Sequence, residues 1–166
     1  MSTNASEDNR EIAYRLSNNL PRLLREFSRD YERRTLNLLT DRGYPEIRPS
    51  HIKVFANLGM GSVRVTELAE RAQVTQQAMG KMLKELEHMG YIAREVDDTD
   101  RRAKEIRLTG KGIEFVADSL DVVDEVRTHY EQKIGTQALA EVESQLRSAV
   151  KKLELDYLPE SWTDSD

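Results

Sequence analysis

Residues 65–90, VTELAERAQVTQQAMGKMLKELEHMG, decide the fold of this chain. They predict two short helices joined by a tight turn. Thr75 stands at the N-cap of the second helix, where its hydroxyl can accept a hydrogen bond from a free backbone N–H. Gly90 ends that helix as its C-cap. Between them, apolar residues recur every three or four positions and predict one buried stripe. The stripe consists of Ala78, Met79, Met82, Leu83, Leu86 and Met89.

The opposite face of the second helix is uncharged at its start and basic further along. It carries Gln77, Gly80, Lys81, Lys84 and His88, with Gln76 at its edge. Gln pairs with adenine, and Lys reaches phosphate or guanine. Glycine inside a helix costs about 1 kcal/mol relative to alanine, which is explained if a partner approaches the helix closely there. The alternative is an ordinary surface helix whose Gln and Lys only face water.

A β-hairpin is predicted directly after this helix. Residues 91–96 and 103–108 have strand-like alternation, and DDTDRR lies between them at 97–102. In a helix-turn-helix protein such a hairpin is a wing. Arg101 and Arg102 at its tip suit a narrow minor groove, and Asp97 and Asp100 can orient them by bidentate pairing. The alternative is a solvated turn with local ion pairs.

Residues 48–112 resemble the winged helix-turn-helix of MarR-type transcriptional regulators. The most specific stretches are LAERAQVTQQAMGKMLKELEHMGYI, the DxxDRRAK pattern of the wing, and LTGKG after it. The resemblance implies a homodimer that binds double-stranded DNA at a palindromic operator, usually as a repressor released by a small-molecule effector. It assigns DNA reading to the N-cap and outward face of the second helix and to the wing arginines. These residues are Thr75, Gln76, Gln77, Gly80, Lys81, Lys84, Arg101 and Arg102.

The expected architecture is mainly α-helical with a small β-hairpin wing and a flanking helical dimerisation region. Residues 1–9 are predicted to be a disordered tail, 10–47 one or more helices, and 48–109 the winged helix-turn-helix. Residues 110–156 are predicted to be further helices, and 157–166 an acidic tail that contains Trp162. Pro21 either kinks the first long helix or lies in the first turn of a second one. The apolar seams of the flanking helices predict dimerisation, with an intramolecular bundle as the alternative.

The charge is distributed unevenly along the chain. The net charge is −5, but residues 48–111 contain 12 Lys+Arg and 9 Asp+Glu, so the centre is basic and its flanks are acidic. This pattern favours local binding of DNA over unspecific coating. The chain contains no cysteine and no apolar run long enough for a membrane span, so we expect a cytoplasmic protein without disulfides.

Catalysis is not predicted. The three histidines, His51, His88 and His129, fall on different helices and have no partner at metal or triad spacing. We therefore expect no cofactor, no metal and no enzymatic activity. Tyr44, His51, Phe55 and Phe115 are candidates for an effector pocket where the dimerisation helices meet the winged unit. The alternative function is a winged-helix adaptor that binds proteins instead of DNA, which the basic side chains disfavour.

Overall fold

The computed structural model of the chain describes residues 2–96 and 104–163, and helices account for most of them. The helices are α1 (Ser2–Ser17), α2 (Leu20–Asp41), α3 (Pro49–Leu58), α4 (Val65–Arg71), α5 (Gln76–His88), α6 (Gly110–Ile134), α7 (Thr136–Leu153) and α8 (Glu160–Thr163). The strands are β1 (Val63–Arg64), β2 (Ile92–Val96) and β3 (Lys104–Leu108). The predicted fold class, mainly helical with a small β-hairpin, is therefore confirmed.

The winged unit runs from α3 to β3, and its three strands form one antiparallel sheet in the order β1-β3-β2. Ile106 on the central strand pairs with Val63 on one side and with Arg94 on the other. The short strand β1 thus anchors the β2–β3 hairpin to the start of α4. The hairpin's position is fixed by backbone pairing close to the helix-turn-helix.

One continuous core joins the winged unit to the long helices. Helix α5 contributes Met79, Leu83 and Leu86, which are fully buried, as are Leu68 of α4 and Val54 of α3. Helix α6 adds Phe115 and Val122, which are equally inaccessible to solvent. Since burial of each large apolar side chain contributes about 1.5–3 kcal/mol, these contacts hold α5 firmly on its support.

The first long apolar seam is divided into two helices. Helix α1 ends at Ser17, and the side chain of Asn19 caps α2 by accepting a hydrogen bond from the Arg22 N–H at 3.0 Å. Pro21 lies in the first turn of α2, where a missing N–H costs nothing, so the second of the two alternatives is observed. Residues 2–9, for which the sequence predicted a disordered tail, are helical and form the beginning of α1, where neither Pro nor Gly interrupts the chain.

Helices α2 and α6 are joined by an aromatic and polar contact. The ring of Tyr130 stacks on Tyr31 with centroids 5.2 Å apart, and Tyr31 donates a hydrogen bond to the Val123 carbonyl at 2.6 Å. The Tyr130 hydroxyl donates to Asp30, which also pairs with Arg34. These hydrogen bonds, the one from Tyr130 first, hold the pKa of Asp30 far below its ordinary value. The ionised carboxylate thereby ties the two helices together.

Helix α7 folds back along α6 after a sharp turn at Gly135, whose φ is +93°. Arg127 of α6 makes a bidentate contact with Glu143 of α7 at 2.9 and 3.0 Å. Such a paired geometry is the strong form of an Arg–carboxylate interaction. It fixes the α6–α7 hairpin near its closed end.

Large apolar side chains nevertheless remain exposed on the flanking helices. On α1 and α2 they are Ile12, Tyr14, Leu16, Leu20, Leu23, Leu24 and Phe27. On α6 and α7 they include Leu120, Val123, Ile134, Val142, Leu146, Val150 and Leu153. Among residues 2–96 and 104–163, no helix has the length and hydropathy needed to cross a membrane. The exposed seams are thus apolar surface that the chain itself leaves uncovered.

The winged unit meets α6 at a very close backbone contact. Thr109 caps α6 by accepting a hydrogen bond from the Gly112 N–H at 3.1 Å, and its own hydroxyl donates to the Gly90 carbonyl at 2.6 Å. The Thr109 N–H donates to the Tyr91 carbonyl at 3.1 Å. A Cβ at Gly112 would lie 2.1 Å from that same carbonyl oxygen. Only glycine fits here.

We predict that Gly112→Ala destabilises the protein by about 1–3 kcal/mol or more, because α6 must move away from Tyr91 to admit a methyl group. Thermal or urea unfolding measures this effect. The matched control is Gly110→Ala in the same turn, where the added Cβ meets nothing within 4 Å. Equal stability of the two variants would contradict the close contact.

Candidate nucleic-acid interface

The start of α5 has the predicted cap. Thr75 Oγ1 accepts a hydrogen bond from the Ala78 N–H at 3.1 Å. The turn before it uses Gln73 in the left-handed region, with φ +52°. The Gln73 side chain donates to the Glu70 carbonyl at 2.8 Å, and the Val74 N–H donates to the Ala69 carbonyl at 3.0 Å. These bonds close the end of α4 and set the angle at which α5 leaves it.

The two faces of α5 differ sharply in exposure. Met79, Met82, Leu83 and Leu86 are buried. Ala78, which the sequence assigned to the apolar stripe, is exposed, so the stripe is narrower than predicted at the start of the helix. The outward face is as the sequence placed it, with Thr75, Gln76, Gln77, Lys81 and Lys84 exposed. It forms an uncharged and then basic surface supported by a rigid apolar underside.

Gly80 lies within this outward face and leaves open space beside the helix. A Cβ built on it meets nothing within 4 Å. Nothing in the described part of the chain therefore requires a glycine here, although it lowers helix stability. The backbone at Gly80 is therefore open on the side that faces away from the core.

The end of α5 is closed by a hydrogen-bonded turn and by a lysine. The C-cap is Met89, one residue before Gly90, which the sequence predicted as the C-cap. Gly90 is the residue after the cap and has φ +82°. The Gly90 N–H donates to the Glu87 carbonyl and the Tyr91 N–H to the Leu86 carbonyl, the pattern of a Schellman motif. The Lys111 ammonium donates to the Met89 carbonyl at 2.9 Å and lies 4.2 Å from the Tyr91 ring centroid. The cation thus stabilises the negative end of the helix.

Glu85 fixes α5 to α3 through a contact that the sequence analysis missed. One oxygen, Oε2, accepts hydrogen bonds from Arg48 at 2.6 Å and from His51 Nε2 at 2.8 Å. His51 is fully buried, and its Nδ1 accepts a hydrogen bond from the Arg48 backbone N–H at 3.2 Å. Because Nδ1 accepts this hydrogen bond, Nε2 is the ring nitrogen that donates to the Glu85 carboxylate. Glu85 lies 37 residues from Arg48 and 34 from His51 along the chain, so no local pattern signals the contact.

The β2–β3 hairpin is present, and two ion pairs fix its described part. Arg94 lies 3.1 Å from the Glu87 carboxylate on α5, and Arg107 pairs with Glu95 across the hairpin at 2.5 Å. The first contact ties the wing to the helix beside it. The predicted tip residues Asp97, Asp98, Asp100, Arg101 and Arg102 lie outside the described residues.

Three of the four candidate effector-pocket residues contact one another. The Phe115 ring lies 5.0 Å from Tyr44 and 4.5 Å from Phe55, measured between centroids, and Tyr91 completes the cluster. Tyr44 donates a hydrogen bond to Asp118, which raises the pKa of the phenol to about 12. His51 instead takes part in the Glu85 contact. The rings fill the space between the winged unit and α6, and an effector pocket there stays a prediction.

We predict that Glu85→Gln lowers the melting temperature at pH 7. Hydrogen bonding from His51, and then the charge of Arg48, lowers the pKa of Glu85 below its ordinary value. A lowered pKa stabilises the fold above about pH 4, the pKa of an unfolded glutamate, and this contribution is lost as the pH falls through the folded-state pKa. The difference in melting temperature between the wild type and the variant should thus be largest at pH 7 and should shrink below pH 4.

The control for this substitution is Glu114→Gln at an exposed position on α6. Differential scanning calorimetry between pH 3 and pH 7 compares the two variants with the wild type. If the melting temperature of Glu85→Gln differs from that of the wild type by the same amount at every pH, the Glu85 carboxylate does not stabilise the fold in its ionised form.

Comparison with known proteins agrees with this geometry. A sequence model of the MarR family matches residues 59–104, which run from the end of α3 to the first residue of β3. A mutant of MarR from E. coli complexed with operator DNA has a TM-score of 0.67 at 19% identity, over 82% of this chain and 96% of that chain. The transcriptional repressor CouR, bound to a 23-mer DNA duplex, has a TM-score of 0.68 at 20% identity, covering 82% of this chain and 95% of that one.

A third similar structure is the transcriptional regulator Tm0710 from Thermotoga maritima, with a TM-score of 0.57 and 23% identity over 82% of this chain and 95% of that chain. The sequence predicted no enzymatic activity, and the match to the MarR family agrees with this prediction. The predicted family resemblance is confirmed. Residues 59–104 of this chain match the MarR family, and the chain is similar in fold to the MarR structures.

Proposed function

We propose that this protein is a homodimeric, sequence-specific DNA-binding regulator of transcription. The observation that carries the proposal is the outward face of α5. It exposes Gln76, Gln77, Lys81 and Lys84 and has no acidic residue in its first turn, whereas its other face is buried against the core. Such a face offers amide groups to base edges and cations to phosphates.

The distribution of roles along the interface follows from the helix geometry. The first turn of a recognition helix enters the major groove most deeply, so Thr75, Gln76 and Gln77 are proposed to meet base edges. Lys81 and Lys84 lie one and two turns later and suit the phosphate backbone. The wing arginines Arg101 and Arg102 are proposed for the flanking minor groove, oriented by Asp97 and Asp100.

The proposed dimer is supported by the apolar seams left exposed on α1, α2, α6 and α7. A second copy of the chain would cover them, as the terminal helices of MarR-type regulators are expected to do. Two-fold symmetry would place the two α5 helices in successive major grooves, about 34–36 Å apart, and select a palindromic operator. The likeness to MarR and CouR structures bound to DNA supports this arrangement.

Repression and release by a small molecule are part of the proposal. CouR is named a transcriptional repressor. An effector would enter at the layer of Tyr44, Phe55 and Phe115, near His51, and would have to separate rings that are now in contact. A change in dimer geometry that costs about 1–3 kcal/mol would weaken operator binding 5- to 150-fold.

The decisive experiment is selection of bound fragments from genomic DNA of the source organism, followed by footprinting. We expect an inverted repeat whose half-sites lie about one helical turn apart, with affinity that falls steeply as salt rises. Lys81→Glu should abolish the selected binding while the protein stays dimeric, and Lys133→Glu on α6 serves as the charge control. Enrichment of no sequence by the wild type would favour the protein-binding adaptor.

We predict opposite effects of Gly80→Ala on stability and on DNA binding. The substitution should stabilise the free protein by up to about 1 kcal/mol, since the methyl group meets open space and improves helix propensity. It should weaken operator binding about tenfold, or about 1.4 kcal/mol, because the methyl group obstructs the approach of DNA. Thermal unfolding and fluorescence anisotropy measure the two effects. Unchanged operator affinity would rule out close approach at Gly80.

We predict that Leu23→Glu and Leu146→Glu, on α2 and α7, each shift the protein from dimer to monomer. The reason is that a charge placed in a buried apolar interface is strongly unfavourable. Analytical ultracentrifugation detects the shift, and circular dichroism checks that the helices remain. The control is Met60→Glu, an exposed apolar position in the loop after α3. If both seam variants stay dimeric, the proposed interface is wrong.

A further inference from the structure

The segment after α7 is folded and returns to the winged unit. Glu154 turns the chain at the end of α7 in the left-handed region, with φ +47° and ψ +51°. The Leu158 N–H then donates to the Leu155 carbonyl at 3.1 Å, and the Trp162 N–H to the Pro159 carbonyl at 2.9 Å. Leu155, Leu158 and Pro159 are half-buried. The segment 155–162, here called the return segment, therefore packs on the protein.

Its principal contact is Arg71, the last residue of α4. The Arg71 guanidinium lies 5.5 Å from the centroid of the Trp162 ring. It also donates to the Asn57 carbonyl of α3 at 3.1 Å and pairs with Glu67 one turn earlier on α4. With 14% of its side chain exposed, Arg71 is held from three directions and presents a fixed cation to the indole.

Trp162 lies between two parts of the molecule. On one side, Glu67, Glu70 and Arg71 of α4 face residues 156–159 across a cleft of about 220 Å³. On the other side, Trp162 borders a groove of about 530 Å³ whose remaining lining comes from α7, including Leu146 and Val150. The indole thus contacts Arg71 in the support of the helix-turn-helix and borders a groove whose other wall is an exposed apolar seam.

We infer that the return segment positions the helix-turn-helix relative to α7, with Arg71 and Trp162 as the positioning residues. Helix α4 is joined to α5 by a short turn that the hydrogen bonds of Gln73 and Val74 close, so α4 and α5 move together. The return segment continues directly from α7 at Glu154, so its contact with Arg71 connects α4 to α7 and sets the direction of α5 relative to the α7 seam. The effect on DNA rests on the proposed function; the positioning of α4 does not.

The first test uses Trp162 as a reporter, because it is the single tryptophan of the chain. Its emission spectrum and its quenching by acrylamide, a neutral quencher, are measured in the intact protein without DNA. Arg71→Gln should increase acrylamide access to the indole, while Arg29→Gln on α2 should leave it unchanged. Equal quenching of wild type and Arg71→Gln would overturn the proposed contact.

The second test measures the consequence for α4 and for DNA. In Trp162→Ala, hydrogen exchange of the α4 and turn amides should accelerate, and operator affinity should fall about two- to fivefold, as expected for a partly exposed cation–π contact of about 0.5–1 kcal/mol. Trp162→Phe, which keeps an aromatic face, should recover part of both effects. Dimer content should stay unchanged in both variants.

Each outcome decides the inference. Unchanged exchange of the α4 amides in Trp162→Ala would overturn positioning whether or not the protein binds DNA. Faster exchange with unchanged affinity for a selected operator would overturn the link to α5. A wild type that selects no DNA would remove the proposed function, whereas the fluorescence and exchange results would still decide the role of the return segment.

Discussion

The approach of Gly112 to the Tyr91 carbonyl is the constraint on which the rest of the structure depends. At this point the end of α5, the beginning of β2, the end of β3 and the beginning of α6 meet within a few residues. Thr109 bonds to both Gly90 and Tyr91, and Lys111 reaches back to Met89. A movement of α6 is therefore passed directly to the C-terminal end of α5, with no flexible linker between them.

The other contacts of α5 follow from this constraint. Since one end is tied to α6, the direction of the helix is set by what holds its middle and its start. Glu85 binds α3 through His51 and Arg48, and the turn at Gln73 fixes the start to α4. The outward face consequently needs no side chain for support. Its Gln and Lys residues are exposed to solvent.

Local signals in the sequence were sufficient for the helices and the hairpin of the winged unit and for the N-cap of α5. Thr75 and Thr109 cap their helices because a hydroxyl bonds an N–H three residues away, and the stripe of α5 follows from helical period. The Glu85 contact was missed because it joins residues 37 positions apart along the chain. Gln73 was read as part of a turn, but a non-glycine residue at positive φ has no strong sequence signature. The hydrogen bond from Lys111 to the Met89 carbonyl was missed because it depends on the packing of the start of α6 against the end of α5.

The helical periodicity of apolar residues was enough to predict the apolar seams of the flanking helices. It was not enough to predict which surface covers them. A period shows which side chains share a face, and it is equally compatible with an internal bundle and with a second copy. The packing of α2 on α6 uses Tyr31, Tyr130 and Asp30, a polar and aromatic contact that apolar periodicity alone does not reveal. Three of the four candidate pocket residues, Tyr44, Phe55 and Phe115, form one cluster in which Phe115 packs against the other two rings.

The break between α1 and α2 has a consequence for how quickly two copies can part. Only Asn18 and Asn19 separate the two helices, so α1 is an arm that carries Ile12 and Leu16 away from the body of the chain. On the proposed dimer, such an arm has to unwrap from its neighbour before the copies separate. Subunit exchange would then be slow compared with release from DNA, so that newly made chains would not mix with older dimers. Mixing differently labelled preparations measures this rate, and exchange within seconds would exclude a wrapped arm.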